Sequence, residues 1–240
     1  LTQLLREYPR PRINVEDTPF GLRLLAVREL DAELSHIRVT NLLFPQAIVI
    51  PMSDSMTITQ WHVPIDDRRC FWYAMFTSFD EPVDHVRMRE QRLELYQLPD
   101  YVPRVGRHND YGFDPQQQRT QTYTGMGEDI NVHDQWAVES MGALQDRTRE
   151  HLGHSDVAIR AFRNKLAKAI DACATSSSNA PGPVFDHASQ PFAVDAIGTT
   201  AELATYWRER ERERVVLGGE VLVEQAQAAL RRLGQLERVG

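Results

Sequence analysis

The feature that most constrains the fold is a series of six strand-like runs within residues 10–79, with no helical pattern between them. Each run is rich in β-branched or other apolar residues, and short turn-forming segments separate it from the next. The runs are predicted over residues 10–18, 22–30, 36–44, 47–52, 56–65 and 70–79. Because consecutive strands joined at hairpin spacing pair with each other, the pattern predicts an antiparallel meander.

Strand alternation also predicts which side chains face a pocket. In the fifth run, Gln60 and His62 fall on one face and Trp61 on the other, since successive side chains point to opposite sides. His62 could contact a ligand or be a hydrogen-bonded core histidine, and the sequence leaves both open. The sixth run is nearly all apolar from Phe71 to Phe76, which is typical of a central strand covered on both faces. The residues expected to line a pocket are Ile48, Ile50, Gln60, His62 and Trp72.

The second half of the chain changes to helical and loop patterns. Residues 99–118 are polar and rich in Pro, Gly and Asn, so they are expected to cover one mouth of the sheet. A helix is predicted from Asp134, acting as N-cap, to Leu152, and a second helix from an N-cap at Ser155. The second helix carries apolar residues at helical spacing: Ile159, Phe162, Leu166, Ile170 and Cys173.

The composition after residue 175 indicates a separate C-terminal region. Residues 175–183 (TSSSNAPGP) have the composition of a linker, and helices are predicted over 200–215 and 220–237. We therefore expect a main domain over residues 1–175, followed by a linker and a helical extension over 176–240. The predicted class is α+β.

Charge, hydropathy and cysteine content argue against several functions. A net charge of −7 argues against binding to nucleic acid, because basic contacts to phosphate dominate that affinity. The sequence has no run of about 18 apolar residues, so no membrane span is expected. Cys70 and Cys173 are the only cysteines, and both are predicted to be buried thiols in a protein of the reducing cytoplasm.

Eight short motifs occur in a fixed order within the first 156 residues. They are VEDTPFGLR at 15–23, WHVPIDD at 61–67, TYTG at 122–125, HD at 133–134, ESMG at 139–142, DRT at 146–148, EHLG at 150–153 and SD at 155–156. In these motifs the chain resembles the C-terminal catalytic domain of Rieske non-haem iron oxygenase α subunits, in the phthalate dioxygenase-like branch of the aromatic-ring-hydroxylating dioxygenases.

The resemblance implies a helix-grip (Bet v1-like) fold, in which an antiparallel sheet wraps around a long C-terminal helix and a cavity holds mononuclear Fe(II). Two histidines and one carboxylate hold the iron in this family, and the position that matches the carboxylate is Asp134. The same Asp could cap a helix, because a carboxylate has two oxygens. His133 stands where related sequences often have Gln, and it is expected to orient the ligand rather than bind iron. Asn131 is expected near the metal and the substrate.

The resemblance also implies parts and partners outside residues 1–240. The family's two iron-binding histidines and its Rieske domain with a 2Fe–2S cluster match no residues here, so the chain is expected to be a fragment, a split gene product or a degenerate relative. The complete enzyme is expected to take electrons from a reductase or ferredoxin and to hydroxylate or O-demethylate a carboxylated aromatic compound with dioxygen. A homotrimer is expected. The rival hypothesis is a non-catalytic helix-grip module that binds a small apolar molecule.

Overall fold

The computed structural model describes residues 2–53, 55–175, 193–199 and 202–203. Its strands are β1 (Arg12–Thr18), β2 (Gly21–Glu29), β3 (Leu34–Leu43), β4 (Ala47–Pro51), β5 (Met56–Asp66), β6 (Arg69–Ser78), β7 (Tyr96–Gln97), β8 (Val102–Pro103) and β9 (Val194–Thr199). Its α-helices are α1 (Thr2–Glu7), α2 (His85–Leu95), α3 (Pro115–Thr120), α4 (Ile130–Glu139) and α5 (Val157–Thr175). Short 3-10 segments lie at Arg107–Gly112, Arg147–Arg149 and His154–Asp156.

The chain divides into two compact units. Unit 1 takes in Leu1–Val63, Phe71–Glu81 and Leu152–Gly240, and unit 2 takes in Pro64–Cys70 and Pro82–His151. Among the described residues, the large sheet and α5 belong mostly to unit 1, whereas α2, α3 and α4 belong to unit 2. No helix of the described residues has the length and apolar character needed to cross a membrane.

The large sheet confirms the predicted meander. Strands β1 to β6 follow one another across the sheet in chain order, and neighbouring strands from β1 to β5 pair antiparallel. All six strands begin and end within two residues of the predicted bounds. Together with the helices, this sheet confirms the α+β class.

The position of β6 corrects one prediction. This strand ends the strand order instead of lying inside the sheet. Phe71, Tyr73 and Met75 are 52%, 55% and 52% exposed, so one face of β6 is not covered. The apolar run therefore predicted a strand correctly, but the predicted position of that strand inside the sheet is wrong. Hydrophobicity alone does not distinguish a central strand from an apolar edge strand.

One face of the sheet packs against α5, and we call it the helix face. The strand register places Asp17, Leu22, Leu42, Ile48 and Gln60 in one row across β1 to β5, so their side chains share this face. Lys165 of α5 lies 2.9 Å from the carboxylate of Asp17. The ring of Phe162 packs 6.1 Å from that of Phe44. Contacts of α5 with β1 and β2 are compatible with a helix grip.

The opposite face of the sheet carries the main apolar core of unit 1. Its buried members are Leu25, Ile37, Val39, Val194 and Leu203. Each buried aliphatic side chain of this size stabilises the fold by about 1.5–3 kcal/mol. Val194 belongs to β9, so this strand contributes directly to the core.

Strand β9 was not predicted. It pairs antiparallel with β3 over Val194–Thr199, so part of the C-terminal extension is a strand of the large sheet. The division at residue 175 stays a prediction. The predicted linker and the predicted C-terminal helices lie outside the described residues, apart from residues 202–203.

The helix predicted from Asp134 to Leu152 is wrong in its bounds. Helix α4 begins five residues earlier, because Asp129 is its N-cap and accepts a hydrogen bond from the Asn131 amide at 3.0 Å. The helix ends at Glu139, and Gly142 then has a φ of +97°, a left-handed conformation that does not continue a helix. Asp134 therefore lies inside α4 and is not its cap.

Helix α5 differs from its prediction in its cap and its buried side. The Asp156 side chain, not Ser155, accepts a hydrogen bond at its start, from the Gly153 amide at 2.7 Å. Its buried residue is Ala158, whose small side chain allows close packing. Of the predicted apolar face, Phe162 and Leu166 are half-buried, whereas Ile159 and Ile170 are 43% and 59% exposed. The prediction of buried thiols is also wrong, because the two free cysteines, one in β6 and one in α5, are exposed.

Candidate functional site

The five residues predicted to line a pocket lie in unit 1, on β4, β5 and β6. Ile48 pairs with Gln60 in the register, and Ile50 lies two residues along the same face of β4. His62 stacks on Trp72, with ring centroids 5.3 Å apart and planes at 28°. The structure therefore brings these five side chains together on the helix face.

The environment of this group is apolar with a few polar atoms. Ile48, Ile50 and Trp72 are half-buried, Gln60 is buried and His62 is exposed. The indole Nε1 of Trp72 is buried and has no hydrogen-bond partner among the described residues. An aromatic ring could pack against the isoleucines and the indole, while the indole N–H donates to an oxygen of that ligand.

A buried polar cluster that sequence reasoning missed lies further along the helix face. It consists of Arg28 on β2, His36 and Arg38 on β3, and Asp195 on β9. Asp195 Oδ1 lies 2.8 Å from His36 Nε2, and Arg38 Nη1 donates to Asp195 Oδ2 at 3.0 Å. Arg38 Nη2 also donates to the Pro51 carbonyl at 2.9 Å. The His36 side chain is 1% exposed, so most of this network is removed from water.

Arg28 is the member of the cluster whose positive charge and N–H groups are least well paired. Its Nε donates to the Tyr8 carbonyl at 2.9 Å, while its Nη1 is buried with no partner in the described part of the chain. Loss of hydration on burial, and then the positive charge of Arg38, lower the pKa of Arg28, although Asp195 acts in the opposite direction. His36 lies directly opposite Arg28 in the register, and its Nδ1 is also buried without a described partner.

A sequence signal for this cluster exists only in part. Arg28, His36 and Arg38 interrupt otherwise apolar strand patterns, and charged residues inside strands of a sheet are unusual unless they are paired. Their common partner, Asp195, is more than 150 residues away in the chain, and β9 was not predicted.

Asn131, His133 and Asp134 lie on α4 in unit 2. Asp134 is exposed and Asn131 is half-buried. His133 Nε2 lies 3.0 Å from Thr124 Oγ1 and 3.1 Å from the Gly127 carbonyl, so its ring joins α4 to the preceding loop. This contact brings the TYTG and HD motifs together, and it fits a supporting role for His133 better than a metal-binding role.

A second network joins α4 to the segment before it. Tyr111 donates from its hydroxyl to Glu139 Oε2 at 2.5 Å, and Gln135 donates to Glu139 Oε1 at 3.1 Å. The Arg107 guanidinium donates to the Glu139 carbonyl. Burial, followed by the hydrogen bond to Glu139, raises the pKa of Tyr111. Glu139, the first residue of the ESMG motif, therefore anchors the end of α4.

The described residues do not by themselves fit a two-histidine, one-carboxylate iron site. They contain no group of three His, Cys, Asp or Glu side chains that could hold a metal ion. His133 Nε2 is already engaged by Thr124 and Gly127.

Comparison with known proteins gives two matches. Residues 7–229 match the family described as LigXa C-terminal domain like. The phthalate 4,5-dioxygenase oxygenase subunit of Pseudomonas putida is 29% identical over 175 residues, which cover 68% of this chain and 38% of the relative. The chain thus spans about two fifths of the length of that curated relative.

Proposed function

Because the chain belongs to the LigXa C-terminal domain-like family, we propose that it is the substrate-binding, catalytic portion of an aromatic-ring-hydroxylating oxygenase. The family membership confirms the resemblance stated from the motifs. The reaction proposed is hydroxylation or O-demethylation of a carboxylated aromatic compound. The observation that carries the proposal is the alignment of Ile48, Gln60, His62 and Trp72 on the helix face.

Substrate binding follows from the properties of these side chains. Ile48 and Ile50 offer an apolar surface that excludes water, and burial of a ring against it contributes about 25 cal/mol for each Å² of apolar area removed from water. The indole of Trp72, held by the stacked imidazole of His62, orients the ring. Its buried Nε1–H supplies a directional hydrogen bond that a substrate oxygen can accept.

Asp134 is proposed to contribute one carboxylate to an iron site whose other ligands are not among the described residues. Bound Fe(II) would supply activation of dioxygen, and a Rieske 2Fe–2S cluster, fed by a reductase or ferredoxin, would supply electrons. A homotrimer and a cytoplasmic location are part of the same proposal. On α4, the contacts of His133 and Glu139 fix the helix and hence the position of Asp134.

Iron content tests the assignment of Asp134. Asp134→Asn, in the complete oxygenase subunit that carries this chain, should lower ferrous iron per subunit by at least tenfold after reconstitution, because loss of a ligand removes a large part of the affinity. Glu128→Gln is the matched control, since it removes an exposed carboxylate just before α4. Undiminished iron in Asp134→Asn would refute the ligand role.

The alternative function is a binding module without redox chemistry. Two observations on the described residues favour it. Apolar and polar side chains line the helix face, and no group of side chains is able to hold a metal ion. The two functions separate in one experiment on the same subunit. Saturable binding of an aromatic compound that is unaffected by iron, with no turnover when electrons and dioxygen are supplied, would support the module and contradict the oxygenase.

A further inference from the structure

The buried polar cluster of unit 1 contains two unmatched polar atoms on facing residues. Arg28 Nη1 and His36 Nδ1 are both buried without a described partner, and the two residues are direct neighbours in the β2–β3 register. Leaving a buried charged group partly unpaired is costly, so native structures normally supply a partner. Because Arg28 Nη1 can only donate, a missing partner at this point indicates a ligand with hydrogen-bond acceptor oxygens.

The charges of the cluster indicate which kind of acceptor fits. Asp195 already receives Arg38 and contacts His36, and the second nitrogen of Arg38 is taken by the Pro51 carbonyl. Among the described residues, the positive charge of Arg28 therefore has only a backbone carbonyl, that of Tyr8, as its direct acceptor. A carboxylate would neutralise this charge with a charge-assisted hydrogen bond, which a neutral hydroxyl cannot do. The buried His36 Nδ1 belongs to the residue that faces Arg28 in the register, so a ligand held by Arg28 would also lie beside the imidazole.

Arg28 also lines an open cavity, so the cluster has a route to solvent. The cavity measures about 390 Å³ and is lined by Glu7, Tyr8, Pro9, Arg10, Arg28 and Glu29. Glu7, Arg10 and Glu29 are exposed, so water and salt screen their charges. Of the two cations that line the cavity, Arg28 is half-buried and Arg10 is exposed, so a carboxylate would interact more strongly with Arg28.

We propose that Arg28 and His36 form a binding site for the carboxylate of a small organic acid on the helix face of the sheet. The carboxylate belongs either to the aromatic substrate or to a free aliphatic acid. In the first case the proposal rests on the proposed function and names the residues that recognise the acid group of the substrate. The site itself requires neither iron nor turnover, so it can be tested separately.

Fluorine NMR of the purified chain tests the site with 4-fluorobenzoate as the probe. Wild-type protein should bind it saturably, and 4-fluoroanisole, which lacks the carboxylate, should bind at least tenfold more weakly. Arg28→Gln should weaken 4-fluorobenzoate binding by about ten- to a hundredfold, the range expected for a hydrogen bond between charged groups. Arg12→Gln is the matched control, because Arg12 is exposed at the start of β1 and does not line the cavity. Arg28→Lys and His36→Gln serve if Arg28→Gln does not fold, and each should weaken binding at least threefold.

The outcomes separate this site from the proposed function. Equal binding to Arg28→Gln and wild type, equal binding of 4-fluoroanisole, or no binding at millimolar probe would each overturn the carboxylate site, and an ordered water would then satisfy the two atoms. The oxygenase proposal would survive all three results. Displacement of the probe by acetate at similar concentration supports a free aliphatic acid as the ligand, and resistance to acetate supports the aromatic acid.

Discussion

The ion pair between Arg38 and Asp195 should hold β9 in the sheet, and Asp195→Asn tests this. Removing one partner of a buried pair costs about 3–5 kcal/mol, since the other charge is left without compensation. Arg38 keeps its bond to the Pro51 carbonyl and its side chain is 20% exposed. The Asn side chain can still contact His36. We therefore expect a smaller loss of about 2–3 kcal/mol in the stability of the β3–β9 pairing.

Hydrogen exchange measured by mass spectrometry reads out this loss locally. Amides of β9 and of the paired half of β3 should exchange about 30- to 150-fold faster in Asp195→Asn, because exchange by local opening follows its free energy. Peptides from unit 2 should be unchanged. The local readout is needed since a chain with two compact units does not guarantee one cooperative unfolding transition.

The control is Asp66→Asn, which breaks an exposed pair with Arg69 whose atoms are 2.7 Å apart. Exposed ion pairs contribute little to stability, so the hydrogen-exchange rates of this variant should match those of wild type. Unchanged exchange of β9 in Asp195→Asn would refute the reasoning, and it would mean that Val194 and the backbone ladder alone hold the strand. Faster exchange throughout both units would also refute it, because the effect would then not be local to β9.

Two further perturbations follow from single contacts. Tyr111→Phe removes the hydrogen bond to Glu139 and should lower the free energy of unfolding of unit 2 by about 1–2 kcal/mol, measured by urea unfolding. The folded-state pKa of Tyr111 is raised, so the stability difference between Tyr111→Phe and wild type should be constant below a pH of about 10. The difference should disappear as the pH rises through the folded-state pKa. A stability difference that grows above a pH of about 10 would contradict this prediction. Gly21→Ala should destabilise unit 1 by at least about 2 kcal/mol, measured as a lower Tm. Gly21 has a φ of +151°, and an added Cβ would lie 2.1 Å from the Leu42 carbonyl oxygen. An unchanged Tm would mean that the turn between β1 and β2 can shift to accommodate the Cβ.

The strands could be predicted from the sequence because their signals are local. Alternating and β-branched runs with turn residues between them specify β1 to β6 without reference to distant parts of the chain. The partners that complete the sheet are not local. Strand β9 has only six residues, and its register depends on β3, to which Asp195 is tied through Arg38 and His36. No period in the sequence shows that pairing.

The start of α4 shows why capping residues are hard to choose from sequence. Asp129 and Asp134 both stand before apolar helical residues, and both have the side chain that an N-cap needs. The structure uses Asp129, since its carboxylate reaches the Asn131 amide and the helix then includes Ile130 and Val132. Val132 is buried with Tyr111 and Met126, and this contact selects the earlier start.

The motifs of the second unit combine structural and chemical constraints, and stability measurements on variants can separate the two. His133, Thr124 and Glu139 hold α4 to its neighbouring segments, so each has a packing reason to be present in its motif. Asp134 is exposed on the same helix, and substitution of an exposed side chain usually changes stability by less than about 0.5 kcal/mol. Asp134→Asn should therefore preserve the fold while it removes iron, whereas His133→Ala should loosen the loop that contains Thr124. A large loss of stability in Asp134→Asn would assign the HD motif to folding and would count against the proposed iron-binding role of Asp134.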